Sequence, residues 1–281
     1  MPELPEVETT LSGLKPHLEG AIIQDVVVRH TQLRWPIPST LKYDLNLQNI
    51  RHISRRGKYL LISMDSGTLI IHLGMSGSLR LVTIDETIRR HDHVDIVLSG
   101  HKILRYHDPR RFGAILLTKN NPSEHPLLAS LGVEPLSVDF TAQYLIIRAK
   151  NRRLAIKSFI MDSHIVVGIG NIYAAEALFL AKIHPATPAQ LLTTKQYETL
   201  IEAIQYVLQA AINQGGTTLR DFVNSEGNPG YFAQKLNVYG RTGLPCRHCE
   251  TPLDSFKLGQ RNTVFCKHCQ PNTSQVIKKP T

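Results

Sequence analysis

The segment CRHCETPLDSFKLGQRNTVFCKHC, residues 246–269, contains all four cysteines of the chain as two Cys-x-x-Cys pairs separated by sixteen residues. Each pair can present two thiolates to one tetrahedral metal ion. The spacing therefore predicts one zinc site, with the ligands Cys246, Cys249, Cys266 and Cys269. Zinc would hold a short hairpin that has too few apolar residues to fold alone. Because four thiolates complete the coordination shell, the predicted role of the metal is structural.

The residues around these pairs are basic. GQRNTVF, residues 259–265, is typical of a hairpin turn, and Arg261 would project from its tip. From Tyr231 to the end, the chain has eight Lys and Arg residues against two acidic ones, Glu250 and Asp254. Over the whole chain 32 Lys and Arg outnumber 23 Asp and Glu, and the sequence pI is about 9.4. This surplus favours a polyanionic partner, either a nucleic acid or a membrane surface.

Length and composition predict an ordinary globular protein. With 281 residues, of which 42% are hydrophobic and 20% charged, the chain is long enough for two domains. No apolar run approaches the roughly 20 residues of a membrane span, and the first residues, MPELPEVETT, lack the basic head and apolar run of a signal peptide. The clustered cysteines suit a reducing compartment. We therefore expect a cytoplasmic protein.

The first half of the chain has the pattern of a β-rich domain. Residues 6–20, EVETTLSGLKPHLEG, predict a helix that ends at Gly20. Short alternating runs rich in β-branched residues then recur up to about Lys119 and predict an antiparallel sandwich or barrel. These runs are IIQDVVV, YLLISM, TLIIHLG, SLRLV, HVDIVL, KILRY and AILLTK.

After the segment HPLLASLGVEPLS, residues 125–137, the apolar period changes to that of helices, so a domain boundary is expected there. The predicted helical segments are FTAQYLIIRAKN, LAIKSFIMDS, GNIYAAEALFLAKI and TTKQYETLIEAIQYVLQAAINQG. Residues 215–231, GGTTLRDFVNSEGNPGY, are polar and rich in glycine. They fit either a solvated connector or a mobile loop that closes over a ligand.

The amino terminus could supply a nucleophile. Pro2 follows Met1 and is small enough to permit removal of the initiator methionine, which would leave a free secondary amine. An α-amino group has a pKa of roughly 7.7–8.0, so part of it is neutral near neutral pH. Glu3 and Glu6 lie close enough in sequence to act as an acid or base and as an orienting group. The alternative is an ordinary acidic start to a helix.

Six motifs occur together and in order: PELPEVET from Pro2, HLGMSGSL from His72, DPRRFG from Asp108, VVGIGNIYA from Val166, GGTTLRDF from Gly215 and the paired cysteine motifs. Along nearly its whole length the chain therefore resembles the bacterial formamidopyrimidine-DNA glycosylase family. The resemblance implies four catalytic residues. They are Pro2 as the Schiff-base nucleophile, Glu3 as the acid, Lys58 as a phosphate contact that supports β-elimination, and Arg261 for δ-elimination.

The resemblance also implies a set of DNA contacts. Met75, Arg110 and Phe112 match the side chains that enter the duplex where the damaged nucleotide is flipped out, with Arg110 facing the unpaired cytosine. Asn171 matches a phosphate contact, although Asn at a helix start is also a common cap. Further matches at or near DNA are His72, His91, Arg152 and Lys157. The chain reads AIKSFIMD where the family more often has AIKPWLMD, which leaves Lys157 in place.

Together these features predict an α+β multidomain protein. We expect an N-terminal antiparallel β-sandwich with a leading helix over residues 1–131, a helix-two-turn-helix domain over 132–230, and a zinc finger with a short tail over 231–281. The implied activity is excision of 8-oxoguanine and formamidopyrimidines from double-stranded DNA, followed by β,δ-elimination at the abasic site. The expected enzyme is a monomer with no membrane partner and one structural zinc ion.

Two alternatives remain open at this level. The endonuclease VIII branch shares the architecture and the chemistry but prefers oxidised pyrimidines; its members usually begin PEGPE, whereas this chain has Leu4. A non-catalytic, zinc-dependent reader of distorted DNA is the second alternative. The presence of Pro2, Glu3 and Lys58 argues against it, because a binding protein has no need of a free proline amine.

Overall fold

The computed structural model describes residues 2–216 and 236–272. Most of the predicted polar loop at 215–231, including GGTTLRDF beyond its two glycines, lies outside the described residues, as does the end of the tail. The described chain forms two compact units, residues 2–130 with 211–216 and residues 131–210 with 236–272. No helix in these described ranges combines the length and the apolar composition needed to cross a membrane.

The first unit begins with helix α1, Leu4–Leu18. Pro5 stands in its first turn, where a missing N–H costs nothing because that group has no helical partner. One face of the helix is buried, including Val7 and Leu14. Gly20 follows the helix with a φ of 84°, a left-handed conformation that glycine adopts without a steric penalty, and so the chain turns there into the first strand.

Two antiparallel four-stranded sheets follow, with the strand orders β1-β6-β7-β5 and β2-β3-β4-β8. The strands are β1 Ile23–Val28, β2 Ile50–Arg56, β3 Tyr59–Met64, β4 Gly67–His72, β5 Ser78–Thr83, β6 Asp92–Leu98, β7 Lys102–His107 and β8 Ala114–Thr118. Short helices α2, Leu41–Leu45, and α3, Pro126–Ala129, complete this unit together with a 3₁₀ turn at Pro122–Glu124.

A single apolar core joins both sheets and α1. It contains Val26 and Leu104 from one sheet, Ile62 and Ile71 from the other, and Leu14 from the helix. Apolar residues from both sheets and from one helix face meet in this cluster, which is the packing of a sandwich with a helix against it. The predicted β-sandwich with a leading helix is confirmed.

The second unit is helical. It contains α4, Ala142–Ala149, α5, Ile156–Ile160, α6, Asn171–Leu180, and most of α7, Thr194–Asn213, with a 3₁₀ turn at Ala189–Leu191. Thr141 caps α4 by accepting a hydrogen bond from the N–H of Tyr144. Helix α6 is apolar on nearly every side and almost entirely buried, as expected for a helix at the centre of a bundle.

The cysteine segment belongs to this unit and forms a two-stranded hairpin, β9, Asp254–Leu258, and β10, Arg261–Phe265. Gly259 and Gln260 make the turn with φ values of 53° and 61°. Two consecutive left-handed residues are the pattern of a type I′ turn, which matches the twist of the flanking strands. The hairpin predicted from GQRNTVF is therefore confirmed.

Candidate functional site

The start of the chain is packed into the first unit. Pro2 is buried, and Glu3 is only 2% exposed. The carboxylate of Glu6 accepts a hydrogen bond of 2.8 Å from the N–H of Glu3, which fixes the backbone next to Pro2. Gly216 packs beside Glu6, since a side-chain carbon at this glycine would lie 3.3 Å from the Glu6 carboxylate oxygen. A buried proline followed by two buried carboxyl groups is thus held in one geometry.

Lys58 lies at the tip of a tight hairpin. Arg56 pairs with Tyr59, so that Gly57 and Lys58 alone make the turn between β2 and β3, with Gly57 at a φ of 56°. Arg55 anchors this hairpin: its Nε donates to Glu8 on α1 at 2.7 Å, and its guanidinium also donates to the carbonyl of Gly57 at 3.1 Å. The tip that carries Lys58 is therefore tied to the helix that begins directly after Glu3.

His72 lies across from this hairpin at the end of β4. It pairs with Tyr59, and the two rings are 4.8 Å apart. Burial, together with the charges of Lys58 and Arg34, lowers the pKa of His72 to about 4. The N–H of Gly74 donates to Nδ1 at 3.0 Å, so in the neutral ring Nε2 carries the proton. His72 is consequently a neutral hydrogen-bond donor at neutral pH.

Three of the predicted DNA contacts lie together on neighbouring loops. Met75 is 37% exposed and Phe112 is 43% exposed, which is high for side chains of this size. The guanidinium of Arg110 lies 4.8 Å from the ring centre of Phe112, within the range of a cation–π contact. These residues line a cavity of about 700 Å³, whose other lining residues are Gln32, Leu33, Arg34, His72, Gly74 and Arg111. The structure thus groups His72 with the three predicted intercalating residues.

His91 is half-buried just before β6. Its ring lies 6.1 Å from that of His93 and 5.9 Å from that of His107. Burial is the largest cause that lowers the pKa of His93, with the charges of His30 and His91 adding to it. The structure places His91 beside other imidazoles and does not bring it into the cavity lined by Met75.

In the second unit, two of the predicted residues, Arg261 and Asn171, lie on the hairpin or in contact with it. Arg261 is exposed at the first position of β10. Asn171 starts α6, and its Nδ2 donates to the carbonyl of Asn262 at 3.2 Å. In the described part of the chain, the buried Oδ1 of Asn171 has no hydrogen-bond partner. Arg152 is exposed on the loop between α4 and α5.

Lys157 occupies a different environment from the other predicted DNA contacts. It is 2% exposed, and its ammonium donates to Oγ1 of Thr263 at 2.9 Å and to the carbonyl of Asn262 at 3.4 Å. Both acceptors belong to β10, the strand that carries Arg261. The structure therefore shows Lys157 bound to the hairpin; a contact with DNA stays a prediction.

The four cysteine sulfurs form a cluster in which all ligand atoms lie within 4.8 Å of one another. The sulfurs of Cys249 and Cys266 are 3.5 Å apart, and those of Cys246 and Cys269 are 3.9 Å apart. A tetrahedral zinc ion with bonds of about 2.3 Å requires sulfur–sulfur distances of about 3.8 Å. Four sulfurs at these distances fit one structural zinc ion, which confirms the cofactor prediction.

Backbone and packing support the cluster. The N–H groups of His248 and Cys269 each lie 3.4 Å from a cysteine sulfur, in the positions that stabilise bound thiolates. A small apolar cluster surrounds the sulfurs and consists of Ala175, Phe179, Val238, Leu253 and Val264. The first two belong to α6, so the metal site packs on the same helix that begins with Asn171.

The sequence did not point to Glu176, which joins α6 to the start of the zinc-binding segment. Its buried carboxylate accepts hydrogen bonds from the N–H groups of Asn237, Val238 and Tyr239 at 2.8 to 2.9 Å and from the Asn237 amide at 3.1 Å. The sequence did contain one indication of this buried role, because Glu176 is the single charged residue in the apolar run NIYAAEALFL. A buried carboxylate with four donors is a strong structural anchor.

Comparison with known families agrees with this arrangement. Residues 1–115 match the formamidopyrimidine-DNA glycosylase N-terminal domain, and residues 131–223 match the formamidopyrimidine-DNA glycosylase H2TH domain. Residues 243–272 match a zinc finger found in FPG and IleRS, where the first abbreviation stands for the glycosylase. The three matched segments contain every residue that the resemblance singled out.

Similar proteins extend the match over almost the whole chain. A formamidopyrimidine-DNA glycosylase of Legionella pneumophila is 55% identical over 96% of this chain and 99% of its own length. One from Methylococcus capsulatus is 56% identical over 96% of this chain and 100% of its own length.

Solved structures show the same fold. A Lactococcus lactis FPG mutant bound to Fapy-dG containing DNA superposes with a TM-score of 0.89 at 33% identity, covering 96% of this chain and 100% of that one. The MutM (FPG) protein of Thermus thermophilus gives a TM-score of 0.86 at 37% identity, covering 96% and 98%. Sequence, fold and metal site agree, and the chain belongs to the formamidopyrimidine-DNA glycosylase family.

Proposed function

We propose that this chain is a bifunctional base-excision-repair enzyme, a DNA glycosylase and abasic-site lyase that removes 8-oxoguanine and formamidopyrimidines from double-stranded DNA. The main observation behind the proposal is that Pro2 is buried and is followed by the buried Glu3 and Glu6, which a hydrogen bond holds together. The chain also belongs to the formamidopyrimidine-DNA glycosylase family. The similar Lactococcus lactis proteins have been solved with Fapy-dG containing DNA and with abasic-site DNA, which supports the same class of substrate here.

The chemistry begins at the amine of Pro2 once Met1 has been removed. The neutral nitrogen attacks C1′ of the damaged nucleotide, and the bond from C1′ to the base breaks with protonation from an acid, the role proposed for Glu3. The proline nitrogen then loses its proton, and the bond from C1′ to O4′ breaks as O4′ takes up a proton and the sugar ring opens, which gives an iminium. This iminium has no N–H proton to lose, because proline is a secondary amine. Its positive charge withdraws electrons from the sugar and so favours loss of the neighbouring phosphates.

Lys58 and Arg261 are proposed to act on those phosphates. Lys58 stands at a hairpin tip that Arg55 ties to α1, which suits a side chain that contacts the phosphate next to the reacting sugar and supports β-elimination. Arg261 is exposed at the start of β10 and is proposed to assist δ-elimination. A guanidinium binds phosphate through two parallel hydrogen bonds, which suits this task.

The DNA-contact proposal rests on exposure and grouping. Met75 and Phe112 are exposed, apolar and close to Arg110, so together they can replace the stacking and the pairing lost when a nucleotide leaves the duplex. His72 is proposed to bind a phosphate as a neutral donor through Nε2. Asn171 is proposed to contact a phosphate beside the lesion.

The remaining predicted DNA contacts differ in how exposed their side chains are. Arg152 is exposed and His91 is half-buried, and both are proposed to approach DNA. Lys157 is buried against the hairpin, so we propose that it influences DNA binding through the strand carrying Arg261. The enzyme is proposed to work as a monomer on cytoplasmic DNA.

An oxidised pyrimidine is the second substrate class to test. One Lactococcus lactis relative was solved with an oxidized pyrimidine containing DNA, at 34% identity and a TM-score of 0.88. The test is single-turnover excision from matched duplexes that carry 8-oxoguanine, a formamidopyrimidine or an oxidised pyrimidine. Faster excision of the two purine lesions supports the proposal. Faster excision of the pyrimidine would contradict it, and binding without any excision would favour the non-catalytic reader.

A further inference from the structure

Asp108 is a buried carboxylate that holds two separate loops. Its side chain is 0% exposed. One oxygen, Oδ1, accepts hydrogen bonds of 3.3 Å from the hydroxyl of Ser76 and from the N–H of Arg110. The other oxygen, Oδ2, accepts a hydrogen bond of 2.9 Å from the N–H of Gly113. Ser76 follows Met75 directly, so a single carboxylate binds the loop of Met75 and both ends of the loop that carries Arg110 and Phe112.

Tyr106 and His93 strengthen this junction. The hydroxyl of Tyr106 lies 3.3 Å from Oδ2 of Asp108 and 3.2 Å from the carbonyl oxygen of His72, so its proton has two acceptors. Burial raises the pKa of Tyr106 well above its usual value, which keeps the hydroxyl protonated. The carbonyl of Asp108 accepts from Nε2 of His93 at 2.8 Å. Together these groups link His72 to the same junction.

The two loops also touch backbone to backbone. A side-chain carbon at Gly74 would lie 2.5 Å from the N of Gly113, and one at Gly113 would lie 1.7 Å from the Tyr106 oxygen. Neither distance is compatible with a real carbon atom, so both positions require glycine. Loops that pack without intervening side chains cannot shift independently, provided that the hydrogen bonds at Asp108 hold them together.

We infer that Asp108 is a positioning residue that fixes Met75, Arg110 and Phe112 in one arrangement before DNA binds. The inference rests on the proposed function of those three side chains. Turning a base out of the duplex costs a few kcal/mol, and side chains that enter the gap offset this cost only if they need no ordering of their own. Loops held by a buried anchor meet that requirement, whereas exposed loops without one would lose conformational freedom on binding.

If Asp108 positions these loops, its loss should affect a damaged base and a preformed abasic site differently. Removal of 8-oxoguanine from a pair with cytosine requires eversion of a stacked base. A preformed abasic site has no base to evert, so imine formation there depends on Pro2 and much less on the loops. Loss of the anchor should therefore slow the first reaction and spare the second.

Two variants of the anchor test this. Asp108→Asn places an amide between the N–H groups of Arg110 and Gly113, so one of them faces an N–H donor whichever way the amide is turned. Ser76→Ala removes only the bond to the loop of Met75 and leaves the backbone intact. Ser63→Ala is the control, since it removes a part-buried hydroxyl from β3.

The measurements are single-turnover excision of 8-oxoguanine opposite cytosine and borohydride trapping on the same duplex with a preformed abasic site. We expect Asp108→Asn to slow excision by about tenfold or more, which corresponds to the loss of one hydrogen bond to a charged group. Ser76→Ala should slow excision by roughly threefold, because it removes only one of the hydrogen bonds that Asp108 accepts. Trapping on the abasic duplex should stay within about twofold of wild type for both variants. Ser63→Ala should match wild type in both assays.

Equal losses in both reactions would overturn the inference, because they would show a general structural defect. Unchanged excision in Ser76→Ala and Asp108→Asn would overturn it as well. If Asp108→Asn does not fold, Ser76→Ala alone decides between these outcomes. Failure of the wild-type protein to excise 8-oxoguanine or to form an adduct would instead overturn the proposed function, and the inference with it.

Discussion

The ammonium of Lys157 on α5 lies 2.9 Å from the hydroxyl oxygen of Thr263 on β10, and both groups are buried. This contact connects the helical part of the second unit to the hairpin that carries Arg261. A buried ammonium is costly unless oxygen acceptors surround it, so the two groups stabilise each other only in this arrangement.

We expect Lys157→Met to keep the apolar stem but to loosen the hairpin, which should reduce the ratio of δ-elimination to β-elimination product. The loss of one buried charged hydrogen bond corresponds to about 1.5–3 kcal/mol. Gel analysis of the cleaved strand measures the ratio, and Lys195→Met, an exposed lysine paired with Glu198, is the matched control. An unchanged product ratio in a zinc-loaded Lys157→Met protein would show that this contact does not place Arg261.

The titration of His72 should report its burial. Because its folded pKa is about 4 against 6.5 in an unfolded chain, the folded state binds fewer protons between these values. The contribution of His72 to stability is then complete above pH 6.5 and is lost as the pH falls towards 4. Denaturant unfolding of wild type and His72→Gln at several pH values should show a steeper acid loss in wild type. The same slope in both proteins would contradict the assignment.

Removal of the zinc ion should weaken the packing of the hairpin against the rest of its unit. Cys249→Ser leaves three sulfurs in a cluster whose distances suit four ligands, so we expect loss of bound zinc and weaker binding to damaged duplexes. Metal analysis and DNA titration measure the two effects together. Ser255→Ala, which changes a part-exposed residue of β9 outside the cysteine cluster, is the control. Full DNA affinity in a metal-free Cys249→Ser protein would separate the zinc from DNA binding.

Arg110 should set the preference for the base opposite the lesion. Its guanidinium donates hydrogen bonds that suit the acceptors of cytosine, whereas adenine offers an amino donor at its pairing edge. In Arg110→Ala, the ratio of excision rates with cytosine and with adenine opposite 8-oxoguanine should fall by about tenfold, for a contact worth on the order of 1–3 kcal/mol. A ratio equal to that of wild type would assign Arg110 to packing or to a phosphate.

The fold was predictable from apolar periodicity wherever that periodicity was strong. All seven predicted strand runs are strands, and the longest predicted helical segment contains α7. Strand β2, Ile50–Arg56, was missed because its sequence IRHISRR is mostly polar and only two of its residues are fully buried. Pairing with β3 on one side is what makes it a strand, and such a tertiary contact leaves little trace in local sequence.

The chemical groups of the candidate site were predictable from the sequence, but the buried residues that hold them in place were not. The cysteine spacing indicated the metal, and the resemblance indicated Pro2. Neither indicated Asp108 as a junction or Glu176 as an anchor, because these roles depend on donors from distant parts of the chain. The hydroxyl of Ser76 is 32 positions from Asp108, and the N–H of Val238 is 62 positions from Glu176. The resemblance placed Lys157 at or near DNA; the structure shows its ammonium bonded to β10, and the DNA contact stays a prediction.

The central claim is that the amine of Pro2 forms a covalent imine with the damaged strand. Borohydride trapping with a duplex containing 8-oxoguanine opposite cytosine, followed by mass spectrometry of the adduct, tests it most directly. The account predicts a stable adduct on residue 2 of the wild-type chain, and no adduct on residue 2 for protein that retains Met1, although that protein should still bind damaged DNA. Undiminished adduct formation or strand cleavage by a confirmed Met1-bearing protein would contradict it.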